Sequence, residues 1–187
     1  MPADLRAAAV WRAFGRGARL FALGAPPREM CFIAEGEVHL CRLSPDGTEL
    51  VLQRARGSFL AEASVEADRY HCDAIAATPG RALVFPMREF RRGLAGCAVF
   101  RDQWMFHLMR EVRKSRAQCE RLGLRSARAR ILHYLETECP DGRLTLAGSK
   151  KAWAAELGLT HEALYRALAR LVREGVIDVD ERTVYRR

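Results

Sequence analysis

The chain has 187 residues, of which 49% are hydrophobic and 29% charged, and its 31 Lys and Arg against 23 Asp and Glu give a net charge of +8. That composition excludes a disordered or collagen-like chain and leaves room for one globular domain or two small ones. No apolar run approaches the ~20 residues that span a bilayer, so no membrane partner is expected. The opening MPADLRAAAVWRAFGRG is broken by Asp4, Arg6, Arg12 and Arg16, where a secretion signal needs an unbroken apolar stretch, and a cytoplasmic address is expected. The cysteines at 31, 41, 72, 97, 119 and 139 form no Cys-x-x-Cys pair. In a reducing compartment they indicate neither a disulfide framework nor a zinc finger.

From Arg19 to about Pro86 the pattern is of short strands with turn punctuation. Leu20 and Phe21 precede Gly24; Met30 to Ile33, Val38 to Cys41, Leu50 to Leu52, Ile75 to Ala77 and Ala82 to Phe85 follow. Ser44-Pro45-Asp46-Gly47 reads as a tight turn. Many short strands joined by Gly and Pro turns predict an antiparallel roll or barrel, a closed sheet that makes a pocket for a small ligand.

After Pro86 the period changes to that of helices. Met87 to Leu94 is predicted as a short helix and Val99 to about Arg121 as a long one, with Phe100, Trp104, Leu108 and Val112 at steps of four and Met105 and Met109 beside them. A wide apolar face on a helix between two domains suits pairing of two subunits, and Trp104, Leu108 and Val112 are the expected seam. Leu122-Gly123-Leu124 is the expected hinge. Ser126 caps a further helix, Ala127 to Glu138, and Pro140-Asp141-Gly142 forms a turn.

The stretch SKKAWAAELGLTHEALYRALARLVREG, Ser149 to Gly175, reads as two helices around a tight turn. Ser149 caps the first, Gly158 ends it in the left-handed conformation open to glycine, Leu159 plugs the angle, and Thr160 caps the second. Ala163, Leu164, Ala167, Leu168 and Leu171 recur at helical spacing on one side, leaving His161, Glu162, Tyr165 and Arg166 outward. A helix-turn-helix sets the first turns of its second helix in the DNA major groove. There an arginine grips guanine O6 and N7 with both arms and a glutamate accepts from the cytosine amino group, so Glu162 and Arg166, four apart, form a coherent reading pair. Ser149, Lys150, Lys151 and Thr160 stand where phosphate contacts are expected. The plainer alternative is a helical hairpin with an i, i+4 ion pair in solvent. Val176 to Val179 and Thr183 to Tyr185, joined through Asp180-Glu181-Arg182, predict a two-stranded wing from which Arg182, Arg186 and Arg187 reach phosphates. The positive excess is two over residues 1 to 98, three over 99 to 124 and three over 125 to 187, which suits a polyanion in the second half.

Ala154-Ala155-Glu156-Leu157-Gly158-Leu159-Thr160-His161-Glu162-Ala163-Leu164-Tyr165-Arg166-Ala167-Leu168, with Leu171 and Glu174 to Ile177, resembles the winged helix of the CRP/FNR transcription regulators. Gly17, Gly24, Glu35-Gly36-Glu37-Val38 and Gly57-Ser58-Phe59 look like the turns and strand starts of that family's cyclic-nucleotide-type sensor roll. The resemblance implies an α+β chain: an N-terminal antiparallel β-roll of jelly-roll type over residues 1–98, a long dimerisation helix and hinge over 99–124, and a C-terminal winged helix-turn-helix DNA-binding domain over 125–187. It further implies a homodimer on double-stranded DNA, with Glu162 and Arg166 reading the half-site and RNA polymerase a candidate partner. The recognition helix departs from the family at His161, where the cyclic-AMP receptor has arginine, and at Tyr165, where many members have a small residue.

Cyclic-nucleotide binders of the family hold the ribose with a Gly-Glu-Leu element and the phosphate with an Arg-Ser or Arg-Thr pair. The matching positions read Ala61-Glu62-Ala63 and His71-Cys72, with Arg69 nearby as a substitute cation. A desolvated cyclic phosphate needs a fixed cation and close backbone donors, so cyclic AMP is not the expected ligand. His71 and Cys72 side by side could hold a soft metal or haem, as could His39 with Cys41; packing or an organic-ligand role is the alternative. The iron–sulfur sensors of the family need a cysteine cluster near the amino terminus, and no cysteine precedes Cys31. No nucleophile elbow or phosphate-cradling loop points to an enzyme. The competing function is a ligand- or metal-sensing module whose winged helix makes protein contacts.

Overall fold

The computed structural model describes residues 1–43, 49–139, 141–146 and 149–187, so the turn expected at Ser44 to Gly47 and Pro140 of the next turn lie outside the described residues. Two compact units divide it, Met1–Leu108 and Met109–Arg187. Among the described residues no helix is long and apolar enough to cross a membrane.

The first unit opens with a short helix, α1 (Ala3–Ala7), and among its described residues holds eight strands: β1 (Val10–Phe14), β2 (Arg19–Phe21), β3 (Glu29–Glu35), β4 (Val38–Leu43), β5 (Glu49–Ala55), β6 (Ser58–Leu60), β7 (Asp73–Ala76) and β8 (Gly80–Pro86). They pair antiparallel into two four-stranded sheets, ordered β1-β8-β3-β6 and β2-β7-β4-β5. Side chains alternate across a strand. In β3 this sends Cys31 and Ile33 into the core between the sheets and Met30 and Phe32 to the opposite face, where α2 (Met87–Gly96) and the start of α3 (Ala98–Gly123) cover them. β8 divides the same way, Ala82 and Val84 inward and Leu83 and Phe85 outward. Strands buried on both faces read as near-continuous apolar runs, which is why β3 and β8 stand out in the sequence. β1 does not, because four of its five residues are exposed.

Gly36 makes the β3–β4 turn possible for two reasons. Its φ is 80°, and a Cβ there would overlap the Pro79 carbonyl oxygen, so any side chain would have to displace backbone. Beside it Glu37 gathers a histidine and two arginines: its carboxylate accepts from His39 Nε2 at 2.6 Å and from Arg56 at 2.6 Å, with Arg54 at 3.8 Å. The hydrogen bond from His39 is the main reason its pKa is pulled down to about 2.

The predicted seam on α3 divides. Trp104 is buried, 7% exposed, within a ring of Phe59, Phe90 and His107, and Leu108 packs on the same cluster, whereas Val112 is exposed. At 3.6 residues per turn a run of steps of four drifts by about 40° each time, so a line begun at Phe100 on the core side winds to the solvent side by Val112. Trp104 and Leu108 thus serve the core of their own chain. On the side of this helix turned away from that cluster, Val99, Met105, Phe106, Met109 and Val112 are left in solvent.

The second unit contains α4 (Ala127–Glu138), β9 (Arg143–Thr145), α5 (Lys150–Glu156), α6 (His161–Arg173), β10 (Ile177–Asp180) and β11 (Thr183–Arg186). Its core joins Leu135, Trp153, Leu157, Leu164, Leu168 and Leu171 among others. The wing is a three-stranded antiparallel sheet, β10-β11-β9, because Leu144 pairs with Val184 and adds a strand to the two expected from sequence.

Candidate DNA-binding surface and sensor pocket

The turn between α5 and α6 is built as its residue types require. The Ser149 hydroxyl accepts from the Ala152 N–H at 3.1 Å and the Thr160 hydroxyl from the Ala163 N–H at 3.2 Å, each satisfying an otherwise orphan donor at a helix start. Gly158 takes φ 62°, and a Cβ there would overlap Leu122. Arg130 is a residue the sequence reading missed. Its guanidinium donates to the carbonyls of Leu122 and Leu124, at the end of α3, and of Leu157 and Gly158, at the end of α5, all between 2.8 and 3.1 Å. One cation thus satisfies the carbonyl ends of two helices and fixes the start of the turn. Arg121, only 1% exposed, works beside it: it donates to Gln118, Thr137 and Glu138 and lies 4.5 Å from the Tyr134 ring centroid.

On α6, Leu164, Leu168 and Leu171 are buried while His161, Glu162, Tyr165 and Arg166 are exposed, so the four predicted base readers share the solvent side. The Glu162 carboxyl is held below its usual pKa by its own backbone N–H and the Thr160 hydroxyl, which keeps it an ionised acceptor, as contact with a cytosine amino group requires. His161 meets the Tyr165 ring edge-on, centroids 4.5 Å apart, and the Lys150 ammonium sits 5.6 Å from the Tyr165 centroid. Lys151 and Arg182 are exposed, Arg182 at the wing turn. The other two wing arginines are engaged within the unit. Arg186 pairs with Glu136 at 2.9 Å and Arg187 grips Asp178 with two bonds of 2.6 and 2.8 Å, so their charge is already compensated where phosphate contacts were expected of them.

In the sensor roll the four predicted pocket residues take separate roles. Glu62, on the 3-10 turn Glu62–Ser64, accepts from His107 of α3 at 2.9 Å and from Gln53 of β5 at 3.4 Å. Arg69 is exposed and donates to the Gly24 carbonyl at 3.0 Å, pinning that turn. His71 is exposed, whereas Cys72 is fully buried in the core between the sheets, where burial pushes its thiol pKa up. With one side chain in solvent and the other in the core, this His and Cys do not converge as a metal or haem pair. His39 is tied to Glu37 and Cys41 is buried. Among the described residues no group of three or more His, Cys, Asp or Glu could hold a metal ion. Ala61 adopts φ 63°, keeping a turn that suits glycine at a cost of about 1 to 2 kcal/mol for a residue with a Cβ. His107 was missed as a pocket residue although its spacing, seven from Phe100 and three from Trp104, sets it on the core side of α3.

An antiparallel β-roll followed by a long helix and a winged helix-turn-helix with an exposed polar recognition face defines a transcription regulator with a sensor-type domain. Residues 11–96 match the family model of the cyclic nucleotide-binding domain and residues 129–186 that of the Crp-like helix-turn-helix domain. The chain belongs to the CRP/FNR family of transcription regulators. It is 25% identical to TTHB099, a CRP-family transcriptional regulator from Thermus thermophilus, over 94% of this chain and 91% of that one, with a TM-score of 0.65. FixK2 from Bradyrhizobium japonicum is 18% identical over 96% of this chain and 92% of its own, with a TM-score of 0.77. A CooA mutant from Carboxydothermus hydrogenoformans is 16% identical over 98% and 86%, with a TM-score of 0.79. These last two share the fold. No curated protein sequence matches the chain.

Proposed function

We propose that the protein is a homodimeric regulator that binds a two-fold-related DNA operator through α6, and that its roll responds to something other than cyclic AMP. The observation that carries the DNA reading is the division of α6, with three leucines in the core and His161, Glu162, Tyr165 and Arg166 together in solvent. Arginine and ionised glutamate one turn apart offer the donors and the acceptor that match what a G·C pair presents in the major groove, the guanine O6 and N7 acceptors and the cytosine amino donor. Lys151 and Arg182 supply charge for the backbone on either side. Selection from a random duplex pool should enrich an inverted repeat with half-sites about one helical turn, ~34 to 36 Å, apart. Enrichment of no sequence above the pool would overturn this reading.

The case against cyclic AMP rests on charge. A cyclic phosphate leaving water needs a fixed cation and backbone donors, yet His71 stands where the family's arginine would and Arg69 is committed to the Gly24 carbonyl. Glu62 already holds His107 and Gln53. Calorimetry with cyclic AMP and cyclic GMP should therefore give no binding heat at micromolar ligand. Binding that weakens in Arg69→Ala would overturn this reading and make Arg69 the phosphate's partner.

A further inference from the structure

Tyr165 brings a large apolar ring to a recognition face otherwise made of hydrogen-bonding groups, and 45% of it remains in solvent. Two elements brace it: His161, one turn earlier on α6, meets the ring edge-on at 4.5 Å, and Lys150, at the start of α5, holds its ammonium 5.6 Å from the centroid. A cation near an aromatic ring is attracted by the ring quadrupole, and a T-shaped neighbour fixes the ring's tilt. Neither brace belongs to the helical core, which is closed by leucines and Trp153 beneath. The ring is therefore oriented by the exposed His161 and the half-buried Lys150, both outside the core, and presents an apolar surface beside Arg166.

Most groups that base pairs offer in the major groove are hydrogen-bond donors or acceptors, and the C5 methyl of thymine is the one that a side chain reads by apolar contact. We propose that Tyr165, braced by His161 and Lys150, reads a thymine methyl in each half-site, next to the base pair that Arg166 reads. This rests on the operator-binding reading above and adds to it a base identity that Glu162 and Arg166 cannot supply. The contact is apolar, so it belongs to the ring and not to the phenol hydroxyl.

The test removes the methyl alone. With the full-length protein and its selected operator, each thymine of the half-site is replaced in turn, symmetrically, by deoxyuridine, and affinity is followed by fluorescence anisotropy. One such replacement should weaken the wild-type protein by about fourfold per half-site, about 15-fold for the dimer, the worth of one buried methyl. Tyr165→Ala should bind the thymine and uracil operators alike, and Tyr165→Phe should keep the wild-type discrimination, which closes a thermodynamic cycle between ring and methyl. The proposal falls if no thymine-to-uracil change weakens wild-type binding, if the discrimination survives in Tyr165→Ala, or if Tyr165→Phe loses it as fully as Tyr165→Ala does. Selection that enriches no sequence would overturn the operator reading itself, whereas an enriched operator indifferent to its methyls would overturn this inference alone.

Discussion

Replacing Arg166 with alanine is expected to abolish discrimination at one base pair in each half-site while leaving the fold intact. Arg166 is exposed on α6, so its loss opens no cavity, and surface substitutions of this kind usually change stability by less than about 0.5 kcal/mol. A bidentate arginine–guanine contact is worth ~1 to 3 kcal/mol of discrimination. Two half-sites double that, giving roughly 30-fold to 10⁴-fold weaker operator binding with little change on random DNA. Lys151 is the matched control. It is exposed at the start of α5 and, as a phosphate contact, should weaken all sequences alike and lower the salt dependence of binding when changed to alanine. Lys150 is less suitable because it also lies against Tyr165. Both variants are to be compared by titration on operator and random duplexes at several salt concentrations. Equal losses on the two DNAs for Arg166→Ala would remove it from base reading.

Much of this architecture is legible in the chain because local signals and global packing agree. The helix-turn-helix is the clearest case: Ser149, Gly158, Leu159 and Thr160 each do what their chemistry suggests, and the same periodicity that buries Leu164, Leu168 and Leu171 leaves the polar quartet in solvent. Strands β3 and β8 are legible for a similar reason, being apolar on both faces. β1 is not, since its alternation is dulled by Arg12 and its stability comes from pairing with β8 and from the Arg12–Glu29 ion pair at 2.7 Å, both long-range. β9 is hidden likewise; three residues become a strand only because β11 lies beside them. The pocket is where sequence reasoning failed most. Aligning His71 with Cys72 as a pair treats adjacency in sequence as adjacency in space, yet in the bend before β7 one side chain faces solvent and the other the core. The partner that Glu62 does find, His107, lies 45 residues away; its helical spacing sets it on the core side of α3, but no local pattern pairs it with Glu62. The buried Arg121 and the half-buried Arg130 have no local signature either, because they acquire their roles from carbonyls and side chains contributed by other helices.

Changing Met109 to glutamate is expected to split the proposed dimer without unfolding either unit. Met109 is 47% exposed and lies near the middle of the solvent-side stripe of Val99, Met105, Phe106 and Val112, on the side of α3 away from Phe100 and Trp104. Five large apolar side chains in solvent on one side of a helix need cover, and a second copy of the same stripe across a two-fold axis supplies it symmetrically. Full burial of one such side chain is worth about 1.5 to 3 kcal/mol, so a few from each copy offset the cost of association, ~4 to 15 kcal/mol. A glutamate there would bring two like charges into a desolvated contact, a penalty of several kcal/mol. Light scattering at micromolar protein should then give the mass of one chain, against two for the wild type. Operator affinity should fall by about 10²-fold to 10⁴-fold, because the second half-site loses the effective concentration that linkage provides. Leu108→Glu makes the contrast, since Leu108 packs on the Phe90 and Trp104 cluster. Its charge would be buried within one chain and should lower the melting temperature of the roll. A folded Met109→Glu that remains dimeric would move the seam off this helix. The next surface to test would then be the exposed leucines of the β4–β5 hairpin, Leu43, Leu50 and Leu52.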